Sequence, residues 1–279
     1  MEFVERAEDI IMAAAERKIT KDVIVSAKDK ADFRKKFICP EESSWYSSSV
    51  EQMVFNRLRD CSSPVIVEFG SGTGSPVVSA LLNSDFSGTV HGYEINKEAL
   101  DTANGLIAEY GLNKKYITHH GSFFESRDIP KSEYLIANPP YLPAMAREQL
   151  TLPDLYGGRE GIDVSKRLLS RGYENVLLLM SSYSNPAKLV DHASRRGYKV
   201  SDFRVTPLPF GVYSRQDHVQ ERIHEMKKAG KAFFSKDCYL LGSALFTKAP
   251  GCKTDMSSDL LACLTSAGRF KSRVGALVL

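Results

Sequence analysis

The chain has 279 residues, 37 Lys+Arg against 34 Asp+Glu for a net charge of +3, with 43% hydrophobic and 25% charged residues. This usage is ordinary for a globular protein and excludes a collagen-like, repeat-dominated or unfolded chain; the length suits about two domains, or one α/β domain with extensions. No stretch approaches the roughly 20 apolar residues of a membrane span, and so small a net charge neither demands nor forbids a nucleic-acid partner.

Met1-Glu2-Phe3-Val4-Glu5-Arg6 starts acidic, so no secretory leader is expected. Residues 2–17 place Phe3, Val4, Ala7, Ile10, Ile11 and Ala14 at helical spacing. Residues 18–44 are mixed: VIV at 23–25, the run KDKADFRKKF, which reads as a solvated helix face, then Cys39-Pro40. Trp45-Tyr46-Ser47-Ser48-Ser49 reads as a loop and cap before a helix over VEQMVFNRLRD. Residues 1–59 are thus expected to form a mainly helical accessory segment.

From Pro64 the texture changes. VIVEF (65–69), VVSALL (77–82), TVHGYEI (89–95), KEALDTANGLIAEYG (97–111), YITHHG (116–121) and YLIANP (134–139) alternate strand-like with helix-like runs. VSKRLLSRG (164–172), NVLLLMSS (175–182), KLVDHASRRG (188–197) and KVSDFRV (199–205) continue the alternation. A doubly wound parallel sheet follows from that spacing, and NVLLLMSS, apolar throughout, suits a strand buried on both faces. A polar helical stretch lies near 211–237, as a substrate-covering element or a surface helix, and CYLLGSALFTK (238–248) reads as the last strand. The expected domain runs over 60–250, with a tail at 251–279 holding one short helix.

The five cysteines, Cys39, Cys61, Cys238, Cys252 and Cys263, are scattered and form no CxxC. No disulfide framework and no metal site is expected, and a reducing compartment, cytosolic or nuclear, fits best, with the cytoplasm as the expectation. His119-His120 lack ligand-type neighbours at metal spacing.

VIVEF runs into Glu68-Phe69-Gly70-Ser71-Gly72-Thr73-Gly74, a strand, a glycine-rich turn and a helix start. A dinucleotide fingerprint wants glycine where Pro76 stands, and a P-loop wants a lysine that is absent. Glu68 before the first glycine would repel a pyrophosphate and attract a cation, which suits S-adenosylmethionine (SAM), a sulfonium carrying an α-ammonium. Glu94, ending the next strand with Ile95 beside it, stands where an acid accepts the ribose hydroxyls of a nucleoside. Together these features resemble the class I SAM-dependent methyltransferases over roughly residues 50–210.

Asn138-Pro139-Pro140-Tyr141 ends the fourth strand, where doubly wound folds bind ligands. Two prolines stop the strand and stiffen its exit. A planar nitrogen is a poor nucleophile because its lone pair is delocalised. The Asn138 side-chain oxygen and the Pro139 carbonyl are placed to take its two N–H groups, and Tyr141 offers a face for a flat target. No metal is needed for this chemistry. The signature resembles methyltransferases of planar nitrogens.

Gly157-Gly158-Arg159-Glu160-Gly161-Ile162-Asp163, opening a helix downstream, is similar to the HemK-like glutamine methyltransferases. That resemblance implies a Rossmann-like doubly wound, mostly parallel seven-stranded α/β sheet with helices on both faces and an N-terminal helical extension. It implies SAM as cofactor, catalytic Asn138, Pro139, Pro140 and Tyr141, and cofactor contacts from Glu68 to Gly74, Glu94, Ile95, Ser122, Phe123 and Asn138. Ser122 stands where these enzymes carry an acid near the adenine, and Glu51 where they carry one after a Pro-Arg-Pro stretch. The favoured substrate is a protein glutamine. A small-molecule amine and a nucleobase amine remain the alternatives, with a non-catalytic SAM-binding regulator from outside the enzymes; no membrane partner is expected.

Overall fold

The computed structural model describes residues 35–249 and 252–269. The expected helix over 2–17, the VIV run and most of the lysine-rich run lie outside them. Among the described residues seven strands form one sheet in the order β3-β2-β1-β4-β5-β7-β6. The expected mostly parallel α/β sheet is what the chain forms, and no described helix is long and apolar enough to cross a membrane.

The chain divides into two compact units, one ending at Asn138 and the other beginning at Pro139. The first holds helix α1 (Pro40–Val50), β1 (Val65–Phe69), α2 (Ser75–Leu82), β2 (Thr89–Glu94), α3 (Lys97–Glu109), β3 (Tyr116–His120) and β4 (Tyr134–Ala137). Here β1 pairs in parallel with both β2 and β4, and β2 with β3. Successive strand residues face opposite sides. Leu135, Ile136 and Ala137 are all fully buried, so both faces of β4 are covered.

Helix α1 corrects the expectation for 45–49. Trp45 to Ser49 is not a loop: it lies inside α1, and the expected helix at 50–60 is a π-type turn, Glu51–Phe55, that extends α1. Pro40 is preset for a first helical turn, and Glu41 and Glu42 suit the positive end of the helix dipole. The serines are weak helix formers. The burial of Glu42, Trp45, Tyr46, Ser49 and Val50 along one stripe overrides that weakness, and Ser49 Oγ donates to the Trp45 carbonyl at 2.8 Å.

The second unit holds α4 (Asp163–Leu169), β5 (Asn175–Ser181), α5 (Pro186–Arg195), β6 (Tyr198–Pro209), α6 (Asp217–Lys228), β7 (Cys238–Lys248) and α7 (Ser257–Thr265). Strand β7 runs antiparallel to both β5 and β6. Strand β6 is four residues longer at its C-terminal end than KVSDFRV suggested, passing through Pro207 to pair Pro209 with Cys238. As a sheet-edge strand it tolerates proline. The stretch 211–237 is therefore the connection from β6 to β7, built around α6.

Candidate active site

In the first unit the site is assembled by three strand ends and one face of α1. Gly70 and Ser71 both donate their N–H to the Tyr93 carbonyl, at 2.9 and 3.2 Å, which ties the glycine turn to the end of β2. Glu94 completes the tie. Its Oε2 accepts from Gly72 N at 2.7 Å and its Oε1 from Asn96 N at 2.8 Å. A carboxylate offers about four acceptor positions, and these two bonds engage both of its oxygens.

Thr73 Oγ1 and Ser75 Oγ sit 3.1 Å apart, and Gly74, at φ +72°, caps α2. Phe69 packs edge-on against Phe123, with ring centroids 5.7 Å apart, and Phe123 packs against Tyr93 at 5.6 Å. Phe123, one of the expected cofactor contacts, is buried in the aromatic group beside the glycine turn. The Ser122 carbonyl accepts from Glu125 and Ser126 N–H. Ile95 is 60% exposed, the most exposed large apolar side chain described.

Glu68 is enclosed. Its Oε2 accepts from Tyr116 Oη at 2.5 Å and its Oε1 from Tyr46 Oη at 3.2 Å. Tyr116 lies on β3, two strands from β1, and Gly92 on β2 lets it reach across. A Cβ at Gly92 would stand 2.9 Å from the Tyr116 ring and 3.2 Å from its hydroxyl. Burial pushes the Glu68 carboxyl up to about 7, against the two tyrosine hydrogen bonds, which lower it; the Glu94 charge adds to the rise.

That shift has a consequence for stability. The folded protein holds the Glu68 proton over a range where the unfolded chain, near 4.5, has released it. The Glu68 contribution is therefore fully present below pH 4.5 and is lost as pH rises through about 7. The loss amounts to about 3 kcal/mol. Urea denaturation at pH 5, 6, 7 and 8 is expected to show stability falling over this interval in the wild type, and falling less in Glu68→Gln. Parallel profiles for the two proteins would refute the assignment.

The residue that the sequence reading missed is Glu42. It is buried on α1, one turn before Tyr46. Residues four apart share a helix face, so α1 directs Tyr46 at Glu68 and Glu42 at Asn138. Asn138 Nδ2 donates to Glu42 Oε2 at 3.4 Å. A carboxylate only accepts, which orients the amide nitrogen toward Glu42 and its oxygen away. Among the described residues Asn138 Oδ1 is buried and has no hydrogen-bond partner. The acid that reaches Asn138 is Glu42. Two acids directly behind Pro40 were the available signal. Burial and the adjacent Glu42 carboxylate also push the Cys39 thiol well up, so Cys39 is not poised as a nucleophile.

Pro139, Pro140 and Tyr141 continue the chain from Asn138 into the second unit. Pro139 and Tyr141 are buried, and Ser184 Oγ donates to the Tyr141 carbonyl at 2.7 Å. Loop 142–162 leaves Tyr141 and returns to it: Gly157 N donates to the Leu142 carbonyl at 3.0 Å and Ala144 N to the Gly158 carbonyl at 3.3 Å. Tyr183, just past β5, packs between Tyr141 and Phe210, at centroid distances of 6.0 and 6.1 Å.

His91 and His119 stack, with Nδ1 and Nε2 3.0 Å apart, and burial lowers the pKa of both. No group of three or more His, Cys, Asp or Glu among the described residues is placed to hold a metal.

The first unit fits SAM on two observations. Nothing stands within 4 Å of a Cβ built on Gly70 or Gly72, both at positive φ, so the turn faces open space where a ligand can meet the backbone. The orphaned Asn138 oxygen ends β4, beside that turn's parent strand.

No family model matches the chain. Two solved structures share its fold. One is a protein from Pyrococcus horikoshii described as a candidate RNA methyltransferase, with TM-score 0.52 at 15% identity, covering 82% of this chain and 97% of that one. The other is a Thermoplasma acidophilum protein, with TM-score 0.50 at 11% identity, covering 84% of this chain and 100% of that one. In sequence the chain is 30% identical over 132 residues to the ribosomal protein uL3 glutamine methyltransferase of Bradyrhizobium diazoefficiens, 43% of this chain and 41% of the relative. It is 30% identical over 127 residues to the release factor glutamine methyltransferase of Moorella thermoacetica, 43% of this chain and 44% of the relative. The chain thus matches less than half the length of these relatives, and over that part it resembles methyltransferases named for protein glutamine, as its glycine-loop sequence implied.

Proposed function

We propose that the chain is a SAM-dependent N-methyltransferase whose acceptor is a glutamine side-chain amide of a protein. The observation that carries this reading is the buried, unpartnered Asn138 oxygen, followed directly by Pro139. A buried acceptor without a partner costs about 1–3 kcal/mol. That cost is recovered when a donor arrives, and an amide NH2 brings two.

In this reading Gly70, Gly72 and Glu94 hold the cofactor: the glycines admit it close to the backbone, and Glu94 accepts from its ribose hydroxyls. Bound there, SAM supplies an electrophilic methyl group on a sulfonium. Asn138 Oδ1 and the Pro139 carbonyl accept the two N–H groups of the acceptor amide. This fixes the nitrogen's direction and stabilises the positive charge that grows on it during transfer. Glu42 keeps the Asn138 amide from turning over, and Tyr141 borders the flat acceptor. The similarity to enzymes named for uL3 and release factor glutamines supports a protein acceptor.

The test is methyl transfer from labelled SAM into a cell extract separated into protein, nucleic-acid and small-molecule fractions. Label in protein that mass spectrometry places on a glutamine side chain is the expected result. Label confined to nucleic acid or small metabolites would refute the glutamine acceptor and keep the planar-nitrogen chemistry. SAM binding with no label in any fraction would instead favour a non-catalytic, SAM-binding role.

A further inference from the structure

Loop 142–162 begins and ends at Tyr141, and the connection from β6 to β7 holds it at three points. Thr151 donates both its N–H and its hydroxyl to Gln216 Oε1, each at 2.8 Å. Arg222 Nε, on α6, donates to the Arg159 carbonyl at 2.9 Å. Lys231 Nζ, just past α6, meets Glu160 Oε1 at 2.8 Å, while Lys188 Nζ on α5 meets Oε2 at 2.5 Å. Glu160 thus joins the glycine loop to two separate elements. Its side chain is 14% exposed, against about half for each lysine.

A solvated surface pair would leave its carboxyl near the usual value. Burial pushes Glu160 up, but the hydrogen bonds and charges of Lys188 and Lys231 outweigh it and hold the group at about 2. It is therefore ionised throughout the physiological range. The neighbouring glycines pack directly on Tyr141: a Cβ at Gly157 would fall 2.7 Å from the Tyr141 Cα, and one at Gly161 would fall 2.4 Å from its carbonyl oxygen. Whatever sets Glu160 also sets the backbone that follows Pro139 and Pro140.

We propose that the β6–β7 connection is a clamp on loop 142–162, and that Glu160, gripped by Lys188 and Lys231, is a positioning residue for the methyl acceptor. The acceptor half of this statement rests on the function proposed above; the clamp does not. Gln216 and Arg222 fix the loop along its length, Glu160 fixes its glycine end, and the two together hold Tyr141 where the acceptor must lie. This gives residues 211–237 a task, and it divides the molecule's work. The cofactor residues Gly70, Gly72 and Glu94 make none of these contacts.

Two measurements on Glu160→Gln and Lys231→Met test it. Amide hydrogen exchange at Ala144, Gly157 and Gly161, donors inside the loop, and at Asp163, which donates to Gly157 from the start of α4, is expected to quicken about tenfold or more in both variants, with β1 to β4 unchanged. With the labelled protein acceptor, KM for acceptor is expected to rise about tenfold, while kcat and KM for SAM stay within about threefold. A merely destabilising change would instead lower the active fraction, and with it kcat, at unchanged KM. The double variant should be no worse than Glu160→Gln alone, because Lys231→Met breaks an ion pair that Glu160→Gln has already removed. Unchanged exchange in both variants overturns the clamp. Faster exchange with an unchanged acceptor KM overturns the positioning role. A wild-type protein that methylates no protein refutes the proposed function, and exchange alone then decides the clamp.

Discussion

Asn138→Ala is expected to lower methyl transfer by about 10²–10³-fold while SAM binding changes by no more than about threefold. Two hydrogen bonds orient the acceptor nitrogen in the proposed reaction, and this substitution removes one of them. Asn138 Oδ1 is buried and already stripped of water, so it needs no reorganisation when charge develops on nitrogen. Preorganised dipoles of this kind act in a low dielectric, where losing one costs a few kcal/mol of transition-state stabilisation. The ground state loses little, since the alanine variant also relieves an orphaned acceptor. The effect should therefore fall on kcat. Asn138→Asp is expected to be no better at neutral pH: a second carboxylate would stand against Glu42, whose oxygen lies 3.4 Å from the Asn138 amide nitrogen. Steady-state kinetics for the rate and calorimetry for SAM affinity check both. A variant that keeps its rate would show that the acceptor nitrogen is oriented elsewhere.

Gly161→Ala should have the largest effect on stability, about 2–5 kcal/mol. Two costs combine. Gly161 sits at φ +74°, a left-handed conformation costing an L-residue about 1–2 kcal/mol. The new Cβ would also stand 2.4 Å from the Tyr141 carbonyl oxygen and 2.8 Å from the Ser184 Cβ and Oγ. Backbone cannot yield as a flexible side chain does, and such overpacking adds about 1–3 kcal/mol. Relief requires the loop to move off Tyr141 and breaks the Ser184–Tyr141 hydrogen bond. Methyl transfer should fall alongside stability, unlike in Asn138→Ala. Gly211→Ala is the control: it has no positive φ and nothing within 4 Å of the added carbon. Urea denaturation of the three proteins measures the difference, and equal midpoints for Gly161→Ala and the wild type would show that the loop accommodates the methyl group.

Much of the site was legible because its residues act through local chemistry. Glycines before a helix, an acid ending a strand, and an asparagine ahead of two prolines each carry their meaning within a few residues. The structure places Gly70, Ser71, Gly72 and Glu94 in one hydrogen-bonded cluster. What failed was local propensity at 45–49, where three serines read as a loop and tertiary burial made a helix. The cost of that error was Glu42 and Tyr46, the two side chains that α1 sends to Asn138 and Glu68.

By itself, then, the sequence determined the alternation of strands and helices, the glycine turn and the Asn-Pro-Pro-Tyr exit from β4. Each depends on periodicity or on backbone restrictions carried by neighbouring residues. Only the tertiary structure decided which distant groups meet. Tyr116 reaches Glu68 because Gly92, on the strand between, has no side chain to block it. Lys188 and Lys231 converge on Glu160 across 28 and 71 positions of chain. Such pairings carry no short-range signature. They exist only because burial of the apolar strands fixes the backbone first, and polar groups stripped of water on the way must then find their partners inside.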